Sequence, residues 1–335
     1  MRFSAAILCA FGATAAFGAA EVKVAEVSGL GGMTERIGYW EVDSGKPGPV
    51  FAVVAAQHGN ELCGCVSVRD FIRIAETNLV CGKVIGVPFM NPPAVRRRAP
   101  SADLRPGEPY IRSAHNMQTL WDSPGFNDTA ALAAGIWEKI LSRADCILDI
   151  HCYQRSMAPV AAVRNTPEGE ALAKASGYPF VRTLSRESDW QGHLRVRAEK
   201  AGKRFIGIEL RGQYLLYPEE IARGTRTAVN VARHLGLMPG KPETQEQRRM
   251  GGTVAVCAPT AGLFVNGPFK PGDAVRKGEK LGYVLRETTL EEVPVIAPVS
   301  GRITRFVGRG DGDVDIREFS QWVFLDDLVA QVLPD

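Results

Sequence analysis

Apolar residues recur along this chain in two spacings. Val50–Ala56 is a continuous apolar run, partly β-branched, bounded by Pro49 and Gly59, and Cys146–His151 and Phe205–Leu210 are shorter runs of the same kind. Such runs predict buried strands, and Lys83–Met90 and Val160–Arg164 add two more. Between them, apolar positions at helical spacing among charges predict helices over Leu62–Thr77, Asp128–Arg143, Pro167–Ser176, Gln191–Ala201 and Pro218–Leu235. Asn127 or Asp128 caps the second of these, and Pro218 opens the last. From Asn91-Pro92-Pro93 to Phe126, and again up to Trp190, the chain reads as loop. Strands alternating with helices specify an α/β fold, a mixed or largely parallel sheet covered on both faces.

The pattern changes around Met238-Pro-Gly-Lys-Pro-Glu243, which reads as a linker. After it come short β-type runs punctuated by Gly and Pro, with an internal echo: Val256-Cys-Ala-Pro-Thr-Ala-Gly262 returns as Ile296-Ala-Pro-Val-Ser-Gly301. Two such halves resemble a biotinyl/lipoyl-like hammerhead, a barrel-sandwich of β-strands. A carrier of that type needs a lysine at the hairpin between the halves, and Arg286-Glu-Thr-Thr-Leu-Glu-Glu292 has none. The expected role is therefore a β appendage that packs on the catalytic domain or mediates assembly, a homo-oligomer included. The expected domains are 21–240 and 250–335.

Residues 1–20 stand apart. Arg2, the apolar and small-residue stretch Phe3–Phe17, and Gly18-Ala19-Ala20 before Glu21 resemble a secretory signal peptide cleaved after Ala20. Ile7-Leu8 before Cys9 does not suit a lipid-attachment box. The expected location is periplasmic or secreted. No later segment is apolar enough to span a membrane.

Composition adds exclusions. A net charge of +3 gives no reason to expect nucleic acid, and the basic run Arg96-Arg97-Arg98 reads as a solvated loop. Setting Cys9 aside, the cysteines are Cys63, Cys65, Cys81, Cys146, Cys152 and Cys257. Their pairing cannot be deduced from order. Cys63-Gly-Cys65 reads as buried small residues on the helix, or as half of a disulfide to Cys81.

The candidate chemistry lies where strands meet loops. His58 and Glu61 stand three apart at the end of the first apolar run, so an imidazole and a carboxylate can face one ion from the same side. His151, at the end of another run, is the third candidate ligand; two strand-end loops of an α/β sheet can share one crevice. His115, His193 and His234 have no such setting. Asp149 lies on the same strand face as His151 and either orients a ligand or caps a neighbouring helix. Three protein ligands leave a position for water, whose lowered pKa yields a hydroxide nucleophile at neutral pH. Glu209, ending an apolar strand, is the candidate general base and acid; the alternative is a salt bridge to Arg211 or another arginine.

His58-Gly-Asn-Glu61, Asn91-Pro92-Pro93-Ala94, Asp149-Ile-His151 and Ile208-Glu209-Leu210, in this order, resemble the succinylglutamate desuccinylase/aspartoacylase family of zinc carboxypeptidase-like hydrolases. The resemblance covers about residues 50–310. It implies a mixed sheet flanked by helices and a C-terminal lipoyl-like domain. It further implies one Zn²⁺ on His58, Glu61 and His151, Glu209 as general base and acid, and Asn91 shaping the substrate pocket. The implied reaction is hydrolysis of an amide in an N-acyl amino acid or a peptide. Two positions depart from the family pattern. Gln118 and Thr119 stand where an Asn-Arg pair grips a substrate carboxylate, and neither imitates a guanidinium fork. Pro100 stands where an arginine polarises the scissile carbonyl, with Arg98 as the nearest substitute and Arg97, Arg105 and Arg112 as alternatives. A non-catalytic metal-containing binding protein on the same fold is the competing expectation.

Overall fold

The structure is a computed structural model that describes residues 19–30, 32, 34–103, 114–184, 192–307 and 321–335. Most of the signal-peptide segment, and the alternatives Arg105 and Arg112, lie outside the described residues.

Nine strands form the first sheet: β1 (Glu21–Ser28), β2 (Thr34–Asp43), β3 (Val50–Ala55), β4 (Lys83–Val87), β5 (Cys146–Tyr153), β6 (Val160–Arg164), β7 (Phe180–Leu184), β8 (Arg204–Arg211) and β9 (Arg248–Arg249). Their order is β1-β2-β4-β3-β5-β8-β6-β7-β9. The centre, β4-β3-β5-β8, is parallel, whereas β2 joins β4 and β6 joins β8 antiparallel. Among the described residues, six α-helices accompany the sheet: α1 (Cys63–Asn78), α2 (Pro92–Arg97), α3 (Asp128–Lys139), α4 (Pro167–Ser176), α5 (Leu194–Lys200) and α6 (Pro218–His234).

Alternation along the central strands divides the core in two. Phe51, Val53, Leu148, Ile150, Ile206 and Ile208 pack under α1, α4 and α6. Ala52, Val54, Ile147 and Phe205 pack under α3 and α5. Phe51 meets Phe71 of α1 edge-on at 5.8 Å between ring centroids. Burial on both faces explains why these strands read as unbroken apolar runs.

Three expectations change. The stretch after Asn91 is not loop throughout: Pro92 starts α2, and the Asn91 side chain accepts the Ala94 N–H, as proline at the first turn and an Asx cap dictate. The helix expected from Gln191 begins at Leu194, because Gly192 takes φ +84° against the Thr119 carbonyl. β1, β2 and β7 are additional strands. In β1, Val22 and Val24 are exposed while Ala25 and Val27 are buried, so apolar residues on both faces erase the alternation.

Eight further strands follow: β10 (Val254–Cys257), β11 (Gly262–Asn266), β12 (Ala274–Val275), β13 (Lys280–Leu285), β14 (Glu292–Ile296), β15 (Gly301–Phe306), β16 (Trp322–Val323) and β17 (Leu328–Pro334). They make two antiparallel sheets, β10-β17-β15-β12 and β14-β13-β11-β16. The sequence echo has a structural counterpart, since each half supplies two strands to each sheet around Phe264, Ile303 and Phe306. Main-chain bonds join this unit to the first: Ala158 N–H to the Thr304 carbonyl and Phe306 N–H to the Ser156 carbonyl, both 2.8 Å. Among the described residues, no helix is long and apolar enough to cross a membrane.

Candidate metal centre and active site

β3 ends at Ala55, and Ala56, at φ 57°, turns the chain through the left-handed region that residues with a Cβ seldom enter. Gln57 and His58 follow. A Cβ on Gly59 would lie 2.1 Å from the carbonyl carbon of Ala94, so the loop rests directly on the backbone of α2. Asn91 fastens it there, donating from its amide to the Gln57 carbonyl at 3.0 Å. The Glu61 N–H then bonds the His58 carbonyl at 3.2 Å, which puts both side chains on one side of the turn.

His151 comes to them from β5. Its Nδ1 lies 3.1 Å from Glu61 Oε2, and His58 Nδ1 lies 2.8 Å from Glu61 Oε1. All three residues are buried, with one ligand atom of each within 4.8 Å of the others. The far ring nitrogens face acceptors: His58 Nε2 is 3.0 Å from Asn116 Oδ1, and His151 Nε2 is 3.0 Å from Asp149 Oδ2. An imidazole that donates through Nε2 keeps its Nδ1 lone pair for a cation. These tautomers follow from the bonding pattern. The donor set, two imidazole nitrogens and a carboxylate, fits one metal ion.

Electrostatics agree. Burial alone would raise Glu61, but the imidazoles of His58 and His151 outweigh it and hold the carboxyl at about 2. The Cys152 N–H donates to Glu61 Oε2 at 2.9 Å and fixes it further. Asp149 takes the orienting role: besides His151, it accepts from Gln57 Nε2 at 2.5 Å, and Gln57 Oε1 accepts the Trp121 indole N–H at 2.7 Å.

Glu209 faces His151 across the β5–β8 register. Burial pushes its carboxyl up to about 8, with nearby Glu61 adding to the rise and His151 opposing it. It is not paired with Arg211, whose guanidinium bonds Glu220 at 2.9 Å. A cleft of about 130 Å³ opens beside His151 and Glu209, with Gln118, Tyr153, Arg182 and Arg195 among its lining and Leu194 and Phe205 as apolar wall. Arg182 Nη1 donates to the Tyr153 hydroxyl at 2.9 Å.

Of the sequence candidates, His58, Glu61 and His151 converge, Glu209 stands beside them, and Gln118 lines the cleft. Asn91 lies behind the loop with its amide bonded to main chain. Arg98 is exposed at the left-handed C-cap of α2, φ 53°, and is not among the cleft's lining residues. His193 does line it, although its sequence setting gives no hint. Gln57, Asn116 and Trp121 were not legible as supports, and Arg182 sits on β7 within the stretch that reads as loop. The six cysteines from Cys63 onward are thiols, so no Cys63–Cys81 bridge forms.

Fold and donor set together define a mixed α/β protein with a candidate His/Glu/His metal site. A metallo-carboxypeptidase from Burkholderia cenocepacia superposes with a TM-score of 0.50 at 14% identity, over 64% of this chain and 65% of that one. The sequence model of the succinylglutamate desuccinylase/aspartoacylase catalytic domain matches residues 47–235, and the chain belongs to that family. It is 25% identical over 304 residues to the N-alpha-acetyl-L-2,4-diaminobutyric acid deacetylase of Halomonas elongata, covering 85% of this chain and 82% of that protein. Among solved structures, a succinylglutamate desuccinylase/aspartoacylase from Rhodobacter sphaeroides matches with TM-score 0.65 and 22% identity over 95% of each chain. The product-bound ectoine utilization protein EutE (DoeB) of Ruegeria pomeroyi matches with TM-score 0.68 and 21% identity over 94% of this chain and 95% of that one.

Proposed function

We propose that this protein is an exported zinc-dependent amide hydrolase of deacylase type, acting on an N-acyl amino acid or a short peptide. The observation that carries the reading is Glu209 facing His151 across two parallel strands, beside three buried groups that can hold one metal ion. Support for amide chemistry comes from the deacetylase relative. His58, Glu61 and His151 hold the ion, and Zn²⁺ suits a His/Glu/His set. When bound, such an ion polarises an amide carbonyl and lowers the pKa of water at its open position.

The chain's own groups do the rest. Glu209, with its carboxyl pushed up to about 8, takes the proton of the attacking water and delivers it to the departing amine. One C–N bond breaks and one C–O bond forms, yielding a carboxylic acid and an amine. Asp149 and Asn116 keep the two imidazoles turned toward the ion. Arg182, which lines the cleft, takes the guanidinium role in place of exposed Arg98, and Gln118 contacts the substrate. Residues 1–20 act as the export signal. The β10–β17 unit is a lipoyl-like domain without a carrier lysine, a support rather than a swinging arm.

Glu209→Gln tests the assignment: metal content stays at wild-type level while kcat on N-acyl amino acids falls by about 10²–10⁴. Full activity in this variant would remove Glu209 from the mechanism. One observation favours the non-catalytic alternative, Gln118-Thr119 in place of the family's Asn-Arg. A metal-loaded wild type that binds N-acyl amino acids and peptides yet turns none over would establish it.

A further inference from the structure

A second cavity, about 460 Å³, opens at the seam between the nine-stranded sheet and the β10–β17 unit. It shares no lining residue with the cleft beside Glu209. Arg211 and Arg223 line it from the sheet and α6, Arg248 from β9, and Lys270 and Arg302 from the C-terminal unit. Glu246 and Asp273 are its acidic lining.

Charge in this cavity is unbalanced where it is least exposed. Arg211 and Arg223 share one carboxylate, Glu220, whose side chain is 1% exposed: Arg211 Nε bonds Oε1 at 2.9 Å and Arg223 Nε bonds Oε2 at 3.2 Å. Both engage it through Nε, and among the described residues neither guanidinium bonds any other acceptor. The terminal nitrogens of both forks are thus available together. Arg211 is 13% exposed and Arg223 25%. Two partly desolvated guanidiniums on one carboxylate leave a positive charge that attracts a second anion.

The remaining groups add to this. Lys270 makes no ion pair among the described residues, while its own N–H takes Asp273 Oδ2 at 2.9 Å. Arg248 spends one terminal nitrogen on Asp335 at 2.7 Å, and Arg302 one on the Gly272 carbonyl at 3.4 Å. We propose that this seam cavity is a binding site for a small oxyanion ligand, carrying phosphate or carboxylate groups, held by the free forks of Arg211 and Arg223 with Lys270 closing from the other unit. Bound there, the ligand ties the two units together.

The test is titration calorimetry of the full zinc-loaded protein with inorganic phosphate and, separately, tricarballylate, with zinc content measured before and after. Saturable binding is expected, and the tighter probe tells phosphate from carboxylate. Arg223→Lys, which keeps a cation for Glu220 but removes the fork, and Lys270→Gln, an exposed change that leaves packing intact, should each weaken binding by about tenfold or more. Arg182→Gln, in the other cleft, should leave it unchanged. Absence of saturable binding, wild-type affinity in both cavity variants, or loss in Arg182→Gln overturns the proposal.

Discussion

Gln57 Nε2 lies 2.5 Å from Asp149 Oδ2, the same oxygen that faces His151 Nε2 at 3.0 Å. The Trp121 indole N–H, 2.7 Å from Gln57 Oε1, sets which end of the amide points at Asp149. A line of buried bonds thus runs from a tryptophan to a candidate metal ligand and fixes the ring's tautomer. Gln57→Leu should lower zinc affinity by about 10–100-fold with the fold retained, measured by competition with a chromogenic chelator. Trp121→Phe orphans Gln57 Oε1 and should cost about 1–3 kcal/mol of stability, with the smaller loss of metal. Wild-type affinity in folded Gln57→Leu would show that Asp149 orients His151 unaided.

Metal affinity should rise with pH. Burial opposes protonation of His151, but Asp149 and Glu61 outweigh it and hold the imidazole's pKa well above its usual value. A cation binding at Nδ1 must then displace a proton, so apparent affinity grows as that proton becomes easier to remove. Asp149→Asn withdraws the main charge retaining the proton, and its affinity should depend less steeply on pH. Chelator competition at a series of pH values compares the two slopes; parallel slopes would contradict the assignment.

His193 gives a stability prediction of defined sign. Burial, helped by the positive fields of His151, Arg195 and His58, lowers its pKa from 6.5 to about 4. Between those values the unfolded chain binds the proton that the folded one refuses, so the stability present above pH 6.5 is lost as pH falls toward 4. The amount is about 3 kcal/mol for this group. His193→Gln should flatten urea-unfolding stability between these pH limits, and an unchanged profile would show the ring is not held neutral.

Gly59→Ala should damage the metal site from a position that offers no ligand. Its Cβ would meet the Ala94 carbonyl carbon at 2.1 Å, a contact between two backbones that no side-chain rotation relieves. The loop bearing His58 must move off α2, at a cost of about 1–3 kcal/mol. Thermal unfolding should show that loss together with weaker zinc binding. A stable variant with normal affinity would mean the loop relaxes freely.

What was legible in the sequence follows burial. β3 and β5 are covered on both faces and β8 fully on one, so apolar runs mark them, and His58, His151 and Glu209 stand out as polar groups near their ends. β7 was not legible because Arg182 and Thr183 break its pattern, and Arg182 faces the cleft. The supports Gln57, Asn116 and Trp121 were hidden for another reason: each acts through a contact distant in sequence, as with Trp121 and Gln57, which spacing does not encode. Arg98 is suggested only by its distance along the chain from Asn91, and at the left-handed cap after α2 it is exposed.

His58, Glu61 and His151 are placed to share one metal ion, proposed to be zinc. Anomalous diffraction at the zinc edge from crystals of the zinc-loaded protein measures this directly. A single strong peak bonded to Nδ1 of both histidines and to the Glu61 carboxylate is the predicted result. A peak bound by other residues, or none at full zinc loading, would contradict it.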